Sequence, residues 1–193
     1  MTQLKSELDY LKEILIEMME LVQTQLEKSK EAFLNHDVEL AEEIIHNELR
    51  INAFDINIGR ECASILALYS PVATDLRFVL AVLEITSSIE RIGDHAENIA
   101  EYVINSEKPI RKDLLLENEL DKMFDLSLAM VRDVIEGFLS EDHKIARKIF
   151  KQDKELNRIN RNSSTIISSQ VLKEPEIIRQ ALYLFSAIAK LER

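Results

Sequence analysis

The chain is short of the residues that bend or staple a backbone, with three Gly, three Pro, one Cys and no Trp among 193 residues. So few turn formers leave room only for long, uninterrupted elements. The lone Cys62 has no intrachain disulfide partner, in keeping with a reducing compartment, and its place in an apolar helical stripe reads as a buried spectator thiol rather than a nucleophile. Three scattered glycines build no phosphate-cradling loop and no dinucleotide fingerprint. No apolar run approaches membrane-spanning length, and the stretch from Met1 to Glu7 lacks the apolar region of a signal peptide, so a cytoplasmic location is expected.

What is present is hydrophobic and charged at once: 46% apolar and 31% charged residues, the balance of a soluble, amphipathic, all-α chain. The 24 basic and 35 acidic side chains leave a net charge of −11. That excess opposes nucleic acids and anionic membranes and favours cations or a partner with a basic patch, although solubility alone would also account for it.

From Leu4 to Phe33 one seam of Leu4, Leu8, Leu11, Leu15, Met18 and Val22 recurs at helical spacing. The first helix ends near Asn35, His36 and Asp37, where Asn35 or Asp37 can cap the second, which runs to about Tyr69. A third begins with Ser70 as its expected cap and Pro71 in its first turn, and continues to about Asn105. Ser106 to Pro109 break the pattern and read as a linker. Beyond it the chain repeats itself. Ala32 through Asp37 correspond to Gly137 through Asp142, Leu40, Ala41 and Ile44 to Ile145, Ala146 and Ile149, and Ile89, Glu90 and Arg91 to Leu191, Glu192 and Arg193. The chain therefore reads as two tandem three-helix bundles, residues 1–107 and 108–193. The second is truncated in its last helix, because nothing in the sequence matches Ile92 through Asn105; a fragment boundary or the loss of half a site would each account for that.

Two acidic stripes stand out. On the third helix Leu76, Val79 and Leu83 align with Glu90, Asp94, Glu97 and Glu101, a face that starts aliphatic and turns acidic, as in a carboxylate-lined groove. On the second, Glu48, Asn52 and Asp55 lie between an apolar flank of Ile44, Ile51, Ile58 and Cys62 and another of Ile45, Leu49, Ile56 and Ala63. Ionised acids inside an apolar arc cost several kcal/mol each unless paired. A Lys, an Arg or a water network could satisfy them, or they could share a hard or borderline cation such as magnesium, manganese or iron with Glu90 and Asp94. Glu97 and Glu101 add more acid than Arg91 neutralises, which leans toward the cation. Glu43 and His46 match the Glu-x-x-His of di-iron bundles but fall on the polar side, while His95 projects about 100° from Asp94, toward solvent or a partner. Gly59 and Gly93, inside helices, suggest close helix approach.

From Pro71, Val72, Ala73, Thr74, Asp75, Leu76 and Arg77 through Ile89, Glu90, Arg91, Ile92, Gly93, Asp94, His95, Ala96, Glu97, Asn98, Ile99, Ala100 and Glu101, the chain resembles the PhoU family of phosphate-signalling proteins. The resemblance implies a regulator rather than an enzyme, with no catalytic residues and no organic cofactor. It implies action on the ATPase subunit of the phosphate ABC transporter and on the phosphate-regulon sensor histidine kinase, often as a homodimer. It also implies metal ions, iron clusters included, at a Glu/Asp-x-x-x-Asp motif. Here that motif is Glu90 to Asp94, with Glu97 on the same stripe and Glu48, Asn52 and Asp55 on the adjacent helix. A second, depleted copy is Asp153, Asn157 and Glu192, with Asn160 in place of the acid matching Asp55. Two other readings are a carboxylate-bridged di-metal enzyme or metal-storage bundle, and a cytoplasmic domain of a sodium-phosphate cotransporter.

Overall fold

The long apolar seams fold as helices in a computed structural model that describes residues 3–140 and 144–193. The first three are α1 (Gln3–Asn35), α2 (Val38–Tyr69) and α3 (Ala73–Asn105). Their turns are so short that neighbours run antiparallel. After a bend come the short α4 (Lys112–Glu117), then α5 (Leu120–Ser140), α6 (Ile145–Lys173), a 3-10 turn (Pro175–Ile177) and α7 (Ile178–Glu192). The described residues contain no strand. Helix α4 was not foreseen, since six residues are too few to show a period. Glu141, Asp142 and His143, part of or next to the repeat motif, lie outside the described residues.

Asp37 caps α2 as expected, its Oδ1 accepting the Leu40 N–H at 3.0 Å. Ser70 does not cap α3. It closes α2 in the left-handed region (φ 47°, ψ 53°), and α3 starts at Ala73 with Val72 at its N-cap, two residues beyond Ser70. Val72 stands at the N-cap without a side-chain hydrogen bond, and Asp75 supplies the negative charge that the helix dipole favours in the first turn.

The seam of α1 is buried as read, with Leu11, Leu15, Met18 and Val22 fully enclosed. The two halves share this core. Helix α1 packs on α5 and α3 on α7. Phe33 and Phe124 meet with ring centroids 6.3 Å apart, and Tyr102 stacks on Tyr183 at 5.7 Å.

The duplication is also visible in ion pairs. Lys28 bonds Glu43 at 2.6 Å in the first repeat, and at the corresponding positions Lys148 bonds Asp133 at 2.6 Å with the signs exchanged.

Gly59 and Gly93 differ in their surroundings. A Cβ on Gly93 would lie 2.9 Å from Ile51 Cδ1 and 3.0 Å from Glu48 Oε2, so this glycine is what lets α3 approach α2. Around Gly59 nothing lies within 4 Å, and close approach does not explain that residue.

Candidate functional site: an acidic groove between two helices

Helix α2 sets Glu48 at a buried position, 3% exposed, opposite the Gly93 backbone of α3. Neither Glu48 carboxylate oxygen has a hydrogen-bond partner among the described residues. Burial, followed by the negative charges of Glu97, Asp94 and Glu90, pushes its pKa up to about 8. Glu90 is raised by burial and by Asp94 and Asp55, against a smaller opposing pull from Arg91. Glu97 is raised by burial, Glu101 and Asp94. The helix spacing thus brings Glu90, Asp94 and Glu97 within electrostatic reach of Glu48, and Asp55 within reach of Glu90, and Glu48, Glu90 and Glu97 all shift in the direction of missing positive charge.

One expectation about the surroundings is overturned. The flank of Ile44, Ile51, Ile58 and Cys62 is buried, and burial pushes the Cys62 thiol up to about 11, the inert state expected. The other flank is open beyond Ile45, which is half-buried against the core: Leu49 is 68% and Ile56 55% exposed, with Ala63 and Asn52 exposed beside them. Glu48 therefore marks the border of the core, and Asn52 sits on the lip of the groove. The physical reason is that α1 and α3 cover only one side of α2, which its own apolar pattern does not reveal.

His95 is a second correction. Rather than meeting solvent, its ring enters a cavity of about 220 Å³ between the repeats, lined also by Leu26, Met130, Lys190 and Arg193. Both ring nitrogens are buried without a partner, and burial, with Lys190 next in weight, lowers its pKa. No motif signalled this; α7 of the other repeat covers that side of α3. Asp153 and Glu192 line the same cavity, and the Asn157 side chain donates to the Asp153 carbonyl at 3.0 Å. Asp153 and Glu192 thus share their surroundings with Lys190 and Arg193.

The donor chemistry of the first groove, carboxylate oxygens with an unpartnered buried member, fits a hard cation. Glu48, Asp55, Glu90, Asp94 and Glu97 are the residues that would hold it. Among the described residues, no three His, Cys, Asp or Glu side chains are already gathered in a ligating cluster, so the acids would have to turn inward around an ion.

The chain is thus a duplicated all-helical bundle with an acidic groove between the second and third helices of its first half. The PhoU domain model matches residues 15–103 and 120–193, and the chain belongs to the PhoU family. It is 34% identical to the phosphate-specific transport system accessory protein PhoU homolog of Aquifex aeolicus, over 97% of this chain and 84% of that one. It is 27% identical to the accessory protein PhoU of Edwardsiella tarda, over 99% and 78%. Among solved structures, PhoU from Pseudomonas aeruginosa superimposes with a TM-score of 0.89 at 26% identity, covering 98% of this chain and 90% of that one. The phosphate transport system regulatory protein PhoU from Streptococcus pneumoniae gives 0.86 at 30%, covering 98% and 88%.

Proposed function

We propose that this protein is a phosphate-transport accessory regulator that restrains phosphate uptake and holds the starvation response off when phosphate is plentiful. It works in the cytoplasm by binding the ATPase subunit of the phosphate ABC transporter and the sensor histidine kinase, as a homodimer of chains each built from the units 1–107 and 108–193, and not as an enzyme. The observation that carries this reading is likeness over nearly the whole chain to proteins named for that transport system. No helix among the described residues is long and apolar enough to cross a membrane, so on this reading contact with the transporter is peripheral. Deleting the gene in its host is expected to switch on phosphate-starvation genes in phosphate-rich medium; genes that stay repressed would overturn the regulatory role.

Iron, manganese or magnesium is proposed to bind the groove through Glu48, Asp55, Glu90, Asp94 and Glu97, with Asn52 at its lip. The weaker set of Asp153, Asn157 and Glu192 is proposed as a subsidiary site. The buried Glu48 carboxylate, without a hydrogen-bond partner among the described residues, supports the first. Elemental analysis of the purified chain should find metal that a Glu90→Ala, Asp94→Ala variant lacks, and equal content in both would remove the groove as the site.

A further inference from the structure

Charge is divided unevenly between the halves. Residues 1–107 hold 8 basic and 21 acidic side chains, a net of −13, whereas 108–193 hold 16 basic and 14 acidic, a net of +2. The basic excess is concentrated on α6. Arg147, Lys151, Lys154, Arg158 and Arg161 recur at intervals of four, three, four and three, which places them on one stripe of the helix. Arg158 is engaged by Glu119 and Glu155. The other four are exposed and make no ion pair among the described residues. Beside them Phe150 is 68% exposed.

The acids of α3 have the matching interval. Glu90, Asp94, Glu97 and Glu101 are spaced four, three and four, and across the groove α2 exposes Leu49 and Ile56. Phe150 and, from the cationic stripe, Lys154 and Arg161 correspond to Ile45, Leu49 and Ile56 of α2, so the stripe stands in the second repeat where the apolar flank beside the acidic groove stands in the first. A solvated helix face accounts for scattered lysines. It does not account for a cationic stripe with a large exposed aromatic, equal in spacing and opposite in sign to an acidic stripe that borders the unpartnered, buried Glu48.

We infer that α6 of one copy of this chain docks along the α2/α3 groove of a second copy. Phe150 lies against Leu49 and Ile56, and the cationic stripe runs opposite Glu90, Asp94, Glu97 and Glu101. Charge pairs of this kind fix partner and register, as the flanking charges of coiled coils do, while the apolar contact supplies affinity. Exchanged reciprocally, the contact closes a dimer rather than extending a fibre. The inference rests on the pairing of copies proposed above and names its surface.

Sedimentation velocity on the full chain, across a micromolar concentration series with chelator present, tests it at low and high salt. The wild type should dimerise at low salt and weaken about tenfold or more at high salt as the pairs are screened. Lys154→Glu with Arg161→Glu, and separately Glu97→Lys with Glu101→Lys, should each weaken self-association by about tenfold or more, because like charges then meet. An equimolar mixture of the two variants should regain the dimer, since both contacts are complementary again. Unchanged circular dichroism would show that each variant is folded. A dimer indifferent to both double substitutions leaves pairing intact and overturns this surface, as does a mixture that stays monomeric. A wild type that is monomeric throughout overturns pairing and surface together.

Discussion

In chelator, this protein is expected to unfold more readily as the pH rises from about 4.5 to about 8, and Glu48→Gln should remove most of that slope. The carboxyl of Glu48 has its pKa raised from 4.5 to about 8 by burial and by Glu97, Asp94 and Glu90. Between those values the folded chain keeps a proton that the unfolded chain releases, so stability is full below the lower value, falls through the window and levels off above the higher one. A shift of that size bounds the loss at about 5 kcal/mol, and an effect of a few kcal/mol is expected. Glu90 and Glu97, also raised, add to the slope with the same sign. Urea unfolding at pH 5 and pH 9 would measure it. At pH 9 the Gln variant should be the more stable. At pH 5 it should have no advantage, because an uncharged carboxyl and an amide are alike in lacking partners there. Equal slopes in the two proteins would mean that Glu48 is not the group responsible. A cation in the groove acts against the effect by favouring the ionised form, which ties this measurement to the metal content proposed above.

Alanine at Gly59 and at Gly93 should move stability in opposite directions. Gly59→Ala, with open space around it, should stabilise by about 0.5–1 kcal/mol through helix propensity alone. Gly93→Ala gains a similar propensity term. However, it forces a methyl against Ile51, which is fully buried, and against Glu48, and overpacking of that kind costs about 1–3 kcal/mol. A net loss is expected, together with a disturbed pH profile as Glu48 is displaced. Denaturant midpoints for both variants give the comparison, and a Gly93→Ala protein more stable than the parent would show that α2 and α3 do not meet so closely.

The helices could be read from the chain because an amphipathic helix writes its period into its own residues. Thirty-three residues of α1 and thirty-three of α3 repeat their apolar positions every three or four places, no proline interrupts either seam, and a single glycine, Gly93, falls within that of α3. The cap at Asp37 was legible for the same local reason, a side chain bonding a backbone group three residues away. Ser70 misled because its role is decided by where the next helix begins, and that helix begins at Ala73, which leaves Ser70 to close α2.

The groove was only half legible. Spacing placed Glu90, Asp94 and Glu97 on one stripe and Glu48 and Asp55 on another, but a helical projection gives an angle and never a neighbour. It could not show that Leu49 and Ile56 are open, that His95 turns into the cavity beside Lys190, or that Glu48 is left without a partner.

The all-helical class, the tandem repeat and the alignment of acids along each helix were already written in the chain, because they depend on the fixed geometry of one backbone. Which side of α2 is covered, that His95 is enclosed and that Glu48 is stranded emerge only when the helices pack. Those follow from the approach of α3 to α2 at Gly93 and of α7 to α3 across the repeats, contacts between residues far apart in the chain.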